Sequence, residues 1–90
     1  MEEGSLERRF YKGVKRAGCK SIKITGLTHY PDRQVLVPGG KVIWVEMKAP
    51  GKTPRKGQRE RIRRLRAMGF QVDVISNSME LKTWLEKLKS

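Results

Sequence analysis

Two carboxylates and a lysine stand where chemistry is most easily built. Glu46 closes an apolar run, Lys41-Val42-Ile43-Trp44-Val45-Glu46-Met47, and Lys48 follows two residues later. In a strand the side chains alternate, so Trp44, Glu46 and Lys48 share one face. Asp32, after Pro31, opens the partner strand. Carboxylates converging beside an ammonium offer oxygen ligands to a hard cation and a positive charge to an anionic substrate. The triplet alone means little, because acid-x-Lys arises about once by chance in a chain so rich in both types. Glu80-Leu81-Lys82 is a built-in control. It falls in a helical pattern, where two residues turn through about 200° and point to opposite faces.

A second pattern is a block of cations. Between Gly51 and Phe70 lie Lys52, Arg55, Lys56, Arg59, Arg61, Arg63, Arg64 and Arg66 against the single acid Glu60. On a helix, Arg59, Arg63 and Arg66 share the outer face, while Arg61 and Arg64 flank the buried edge. Such charge usually means a solvated face, but like charges spaced four apart oppose folding unless a ligand compensates them. Phosphate is that ligand, since guanidinium matches it bidentately. The whole chain points the same way: 21 Lys and Arg against 9 Asp and Glu leave 12 net positive charges on 90 residues. A strongly one-sided field implies a polyanionic partner.

The elements that must position these residues follow from periodicity. Leu6, Phe10, Val14 and Ala17 form a helical stripe, with Ser5 as N-cap and Gly18 as stop. Glu7 sits at the edge of that stripe, beside Phe10, Tyr11 and Val14. Strands are expected at Ser21 to Thr25, Gln34 to Val37 and Lys41 to Met47, the last two a hairpin around Pro38-Gly39-Gly40. Thr53 before Pro54 reads as the N-cap of a second helix running to about Met68, with Gln58, Ile62 and Leu65 inward and Gly69 ending it. Phe70 to Ile75 is a fourth strand, parallel to the third because a helix joins them. Asn77 to Glu80 has capping-box spacing before an apolar stripe of Leu81, Trp84, Leu85 and Leu88. The hairpin register is open: a two-residue turn pairs Asp32 with Met47, a three-residue loop pairs Asp32 with Glu46.

The length allows one domain over residues 1–90 with a modest core. A lone cysteine, Cys19, excludes an internal disulfide, and no Cys/His spacing points to zinc. Without an apolar run of about 18 residues no membrane association is expected, and a cytoplasmic, intracellular protein is.

At Val42-Ile43-Trp44-Val45-Glu46-Met47-Lys48-Ala49-Pro50-Gly51 through Gly57-Gln58, the chain resembles the PD-(D/E)XK nuclease superfamily, specifically its VRR-NUC branch. The likeness lies in a hydrophobic strand, acid-x-Lys, a proline-containing loop and a glutamine opening the basic helix. Met47 stands where the family often has Val or Leu. The resemblance implies a restriction-endonuclease-like α/β fold: an αβββαβ core with a mixed four-stranded sheet flanked by helices, here followed by a C-terminal helix. It implies a Mg²⁺- or Mn²⁺-dependent endodeoxyribonuclease acting on branched DNA such as four-way (Holliday) junctions. In that pattern Asp32, Glu46, the Met47 backbone carbonyl and Glu7 would hold the metal. Lys48 would hold the attacking water, and Gln58 would orient Lys48 or a phosphate. Lys52, Arg55, Lys56, Arg59, Arg63 and Arg66 would track the DNA backbone. Resolving a four-way junction needs two active sites, so a homodimer is expected, with the Leu81-Trp84-Leu85-Leu88 stripe as candidate interface unless it covers the sheet. A rival reading is a non-catalytic basic module resembling a double-stranded RNA-binding domain, and another is a ribonucleoprotein structural protein. Neither needs Asp32, Glu46 and Lys48 together. A lone loop histidine is usually a bystander, so His29 stays outside the site, and Trp44 and Trp84 belong to core or interface.

Overall fold

A computed structural model describes residues 3–49 and 51–90. The elements run α1 (Glu3–Arg16), β1 (Lys20–Lys23), β2 (Arg33–Val37), β3 (Lys41–Met47), α2 (Lys56–Ala67), β4 (Gln71–Ile75) and α3 (Ser78–Lys89). The sheet order is β1-β2-β3-β4. The first two pairings are antiparallel and β3 with β4 is parallel. This is the expected α/β architecture with a mixed four-stranded sheet.

Two apolar layers hold the sheet. Leu6, Phe10 and Val14 of α1 join Leu81 of α3 against Val35, Ile43, Val45, Met47 and Ile75. On the other side Ile62 and Leu65 of α2 meet Val72, with Tyr30, Trp44 and Val74 packed around them. The faces alternate along β3 as a strand buried on both sides requires, with Ile43, Val45 and Met47 toward α1, and Trp44 and Glu46 toward α2. Burying a side chain such as Phe10 or Leu6 stabilises the fold by about 1.5–3 kcal/mol. Gly13 lets α1 lie against α3, since a Cβ there would come within 2.4 Å of a Leu85 methyl.

The termini of α1 and α2 show which sequence signals held. Gly18 takes φ 80° while its amide donates to the Lys15 carbonyl and that of Cys19 to Val14, a Schellman stop. Gly69 does the same for α2, with amides of Gly69 and Phe70 on Arg66 and Leu65. The starts differ from expectation. Helix α1 already covers Glu3 and Gly4, so Ser5 lies inside it rather than capping it. The second begins at Lys56 with Arg55 as N-cap, not at Thr53-Pro54. Gln58 decides that start, because its Oε1 accepts the Arg55 amide at 3.0 Å and satisfies an otherwise orphaned donor. At α3 Asn77 does cap, accepting the Glu80 amide at 2.8 Å, but Glu80 returns its bond to Ser76 rather than to Asn77.

The apolar stripe of α3 packs within the monomer. Leu81 is buried, and Trp84, Leu85 and Leu88 pack on the α1 face of the sheet. The Trp84 indole also donates to Asp73 Oδ2 at 2.8 Å. Leu81 is thus committed to the core, while Trp84, Leu85 and Leu88 stay partly exposed. Among the described residues no helix is long and apolar enough to cross a membrane.

Candidate active site

The hairpin register creates the site. Val37 pairs with Lys41 and Leu36 with Val42, so Pro38-Gly39-Gly40 is a three-residue loop. Its two glycines adopt φ 99° and 95°, values that favour glycine. The same register carried past Arg33 and Val45 sets Asp32 opposite Glu46, on the α2 face. A two-residue turn would have slipped the pairing by one and sent one of the carboxylates to the other face.

Each acid is anchored by the opposite strand. The Asp32 amide donates to Glu46 Oε1 at 3.1 Å, and the Met47 amide donates to Asp32 Oδ1 at 3.2 Å. Lys48 Nζ stands 3.3 Å from Glu46 Oε2, and Gln58 Nε2 donates to the same oxygen at 3.1 Å. Gln58 thus spans from the start of α2 to the carboxylate. The Lys48 backbone extends the parallel pairing, its amide donating to the Ile75 carbonyl at 2.9 Å. Asp32, Glu46, Lys48 and Gln58 therefore converge. Met47 buries its side chain in the opposite layer, so only its backbone faces this group.

Burial dominates the electrostatics. It pushes the Asp32 carboxyl above its ordinary value, against the opposing pull of Arg33 and the Met47 amide, and the Glu7 charge adds to the rise. It pushes Glu46 up as well, with Asp32 repelling it and Lys48 only partly offsetting the effect. Two like charges drawn out of water toward one another disfavour ionisation of both.

Glu7 reaches this pair through one guanidinium. Its Oε2 meets Arg33 Nη2 at 2.6 Å, and Arg33 Nη1 meets Asp32 Oδ2 at 3.0 Å. Arg33 is 1% exposed and was missed by sequence reasoning. The available signal was its register: it sits on the inward face of β2 two residues before Val35, where a charged side chain needs a partner.

The cations of α2 divide. Lys52, Arg55 and Lys56 are exposed at its approach and first turn. Arg59 donates to the Pro54 carbonyl at 2.8 Å, and Arg63 pairs with Glu60. Arg66 turns back onto β4, donating twice to the Val72 carbonyl at 3.1 and 2.6 Å. Arg61 covers the Tyr30 ring at 4.5 Å, and that ring packs against Trp44.

No family model matches the chain. It is 37% identical over 87 residues to "Putative nuclease p44" of Acyrthosiphon pisum secondary endosymbiont phage 1, an alignment covering 94% of this chain and 92% of that protein. A solved structure described as a VRR-NUC domain shares the fold at a TM-score of 0.83 and 23% identity, over 93% of this chain and 94% of that one. The chain belongs to the family of this phage protein and has the fold of a VRR-NUC domain.

On this VRR-NUC-like fold the donor set suits a hard divalent cation. Asp32 and Glu46 offer only oxygen, and their mutual repulsion and burial are what a bound cation would offset. Among the described residues no three His, Cys, Asp or Glu gather as a metal cluster. Backbone carbonyl and water would complete the shell, as befits Mg²⁺, which keeps several waters. The proline of the loop after Lys48, Pro50, lies outside the described residues.

Proposed function

We propose that this protein is a Mg²⁺- or Mn²⁺-dependent, structure-selective DNA endonuclease that hydrolyses phosphodiester bonds. The observation carrying the reading is the convergence of Asp32, Glu46 and Lys48 on one face of a hairpin beside a cationic helix. The name of the phage relative, a nuclease, supports it. Asp32, Glu46 and the Met47 carbonyl would hold the ion, which would supply charge to polarise the phosphate and to ease deprotonation of water. Lys48 holds the attacking water and stabilises negative charge developing on the phosphorane-like transition state. Gln58 keeps Glu46 turned toward that point. Lys52, Arg55, Lys56, Arg59 and Arg63 hold the DNA backbone, and Arg66 contributes charge to the same helix.

The proposed substrate is branched DNA such as a four-way junction, cut by a homodimer that brings one site to each strand. The partly exposed Trp84, Leu85 and Leu88 of α3, with the exposed Met68, Phe70 and Met79 flanking β4, are the apolar side chains proposed to meet a second copy. The test is incubation with single-stranded, duplex, flap and four-way-junction DNA in Mg²⁺ or Mn²⁺. Cleavage of branched substrates that disappears in Lys48→Ala is expected. If no substrate is cut with either ion, the nuclease reading fails and a non-catalytic binding module takes its place. Light scattering across micromolar concentrations tests the dimer, and a strict monomer that cuts junctions symmetrically would contradict it.

A further inference from the structure

Arg33 is nearly inaccessible, yet it touches both acids that flank it. Its Nη2 meets Glu7 Oε2 at 2.6 Å, and its Nη1 meets Asp32 Oδ2 at 3.0 Å and the Asp32 carbonyl at 3.3 Å. The Tyr11 ring lies 5.4 Å from its guanidinium carbon. A guanidinium taken out of water is costly unless its donors are matched, and this one retains an unpartnered Nε among the described residues. The charge is kept for what its fork holds.

We propose that Arg33 is a positioning residue for Asp32, and that Glu7 serves the site through Arg33 rather than as a ligand of the cation. The inference rests on the nuclease reading. Arg33 fixes Asp32 Oδ2 while the Met47 amide fixes Oδ1, so the carboxylate has one orientation before any cation arrives. Each oxygen keeps a further lone pair for that cation. Glu7 takes the other arm of the fork and stops the guanidinium from swinging wholly onto Asp32. Its Oε2 is engaged there, and it does not join Asp32 and Glu46 in a three-acid cluster. At 1% exposure Arg33 cannot reach DNA.

The test is a double-mutant cycle read by calorimetric titration of Mn²⁺, with thermal melts alongside. Arg33→Met should weaken Mn²⁺ binding about tenfold, in the range expected when the support of a metal ligand is removed. Arg33→Lys, which keeps the charge but loses the fork, should fall between Arg33→Met and the parent. Glu7→Gln should weaken binding less, and Glu7→Gln with Arg33→Met should bind no more weakly than Arg33→Met alone. On cleaved DNA, kcat should drop with KM unchanged. Additive losses in the double variant would show Glu7 touching the cation, and overturn the inference while leaving the nuclease reading standing. Unchanged Mn²⁺ binding in Arg33→Met also overturns it. Should Arg33→Met not fold, the cycle runs on Arg33→Lys with the same two outcomes. Wild-type protein that takes up no Mn²⁺ overturns the nuclease reading and this inference together.

Discussion

Asp32 and Glu46 face each other across the β2–β3 hairpin, and the Asp32 amide is bonded to Glu46 Oε1 at 3.1 Å. The neighbouring Met47 amide returns the bond to Asp32 Oδ1 at 3.2 Å. Backbone donors thus fix two acids that repel one another, and the fold carries their repulsion into the site. A cation bound between them would turn that cost into affinity.

The pH dependence follows from the direction of the shifts. Burial raises both carboxyls above 3.8 and 4.5, the ordinary values of Asp and Glu. A group raised on folding stabilises the fold below its unfolded value and loses that contribution as pH rises through the folded one. Cation-free protein should therefore lose stability with rising pH relative to Asp32→Asn with Glu46→Gln. Melts in chelator from pH about 4 to about 7 should show the gap moving in the variant's favour, and Mn²⁺ should reverse it for wild type alone. A gap that does not change with pH would count against the buried-pair account.

Lys48→Ala removes an ammonium that faces the buried Glu46 carboxylate. Cleavage should fall about 10²- to 10³-fold, as when one preorganised transition-state donor is removed. DNA affinity, read by fluorescence anisotropy in Ca²⁺, should stay near the parent's. A variant that cuts at the parent's rate would remove Lys48 from the mechanism.

The arginines of α2 should separate by what they hold. Arg59→Ala and Arg63→Ala should weaken DNA binding regardless of sequence, each lowering the salt slope by about 0.9. Arg66→Ala should also lower the melting midpoint, because it deletes two donors to the Val72 carbonyl. A loss of about 1 kcal/mol corresponds to about 4–8 °C in a domain of this size. An Arg66→Ala melting midpoint equal to the parent's would show that the Arg66 bonds add nothing to stability.

His29 and Gly57 make a size-swap test. His29 has φ 67°, in the left-handed region, and a Cβ on Gly57 would lie 2.5 Å from its ring. The ring rests on the first turn of α2, next to the Gln58 that holds Glu46. Gly57→Ala makes the exposed His29 ring swing aside, a small cost set against the roughly 1 kcal/mol of helix propensity that alanine gains, so stability should change by less than about 1 kcal/mol. Adding His29→Gly frees the space and relaxes the backbone, so the double variant should be more stable than Gly57→Ala alone. If the two changes add without coupling, the ring does not rest there.

The sequence by itself determined most of the frame. A continuous apolar run between Pro38-Gly39-Gly40 and Lys48 located all of β3 to the residue, as a strand buried on both faces reads, and Gly18 and Gly69 marked helix ends through their need for positive φ. The cationic helix and the acid-x-Lys strand were legible as residue types at fixed spacing. Helix starts were less so, because Gln58 outbid Thr53 as the partner of an orphaned amide, and such competition depends on where a side chain points.

Only the tertiary structure decided the register, and the register makes the site. Both turns suit Pro38-Gly39-Gly40, and only the packing of alternate residues on two layers selects the one that sets Asp32 against Glu46. It likewise packed the α3 stripe against the core, folded Arg66 back onto β4, and brought Arg33 between Glu7 and Asp32. Each of these joins residues distant in sequence or on different elements. Local propensity carries no information about such contacts, whose energy exists only once the layers close.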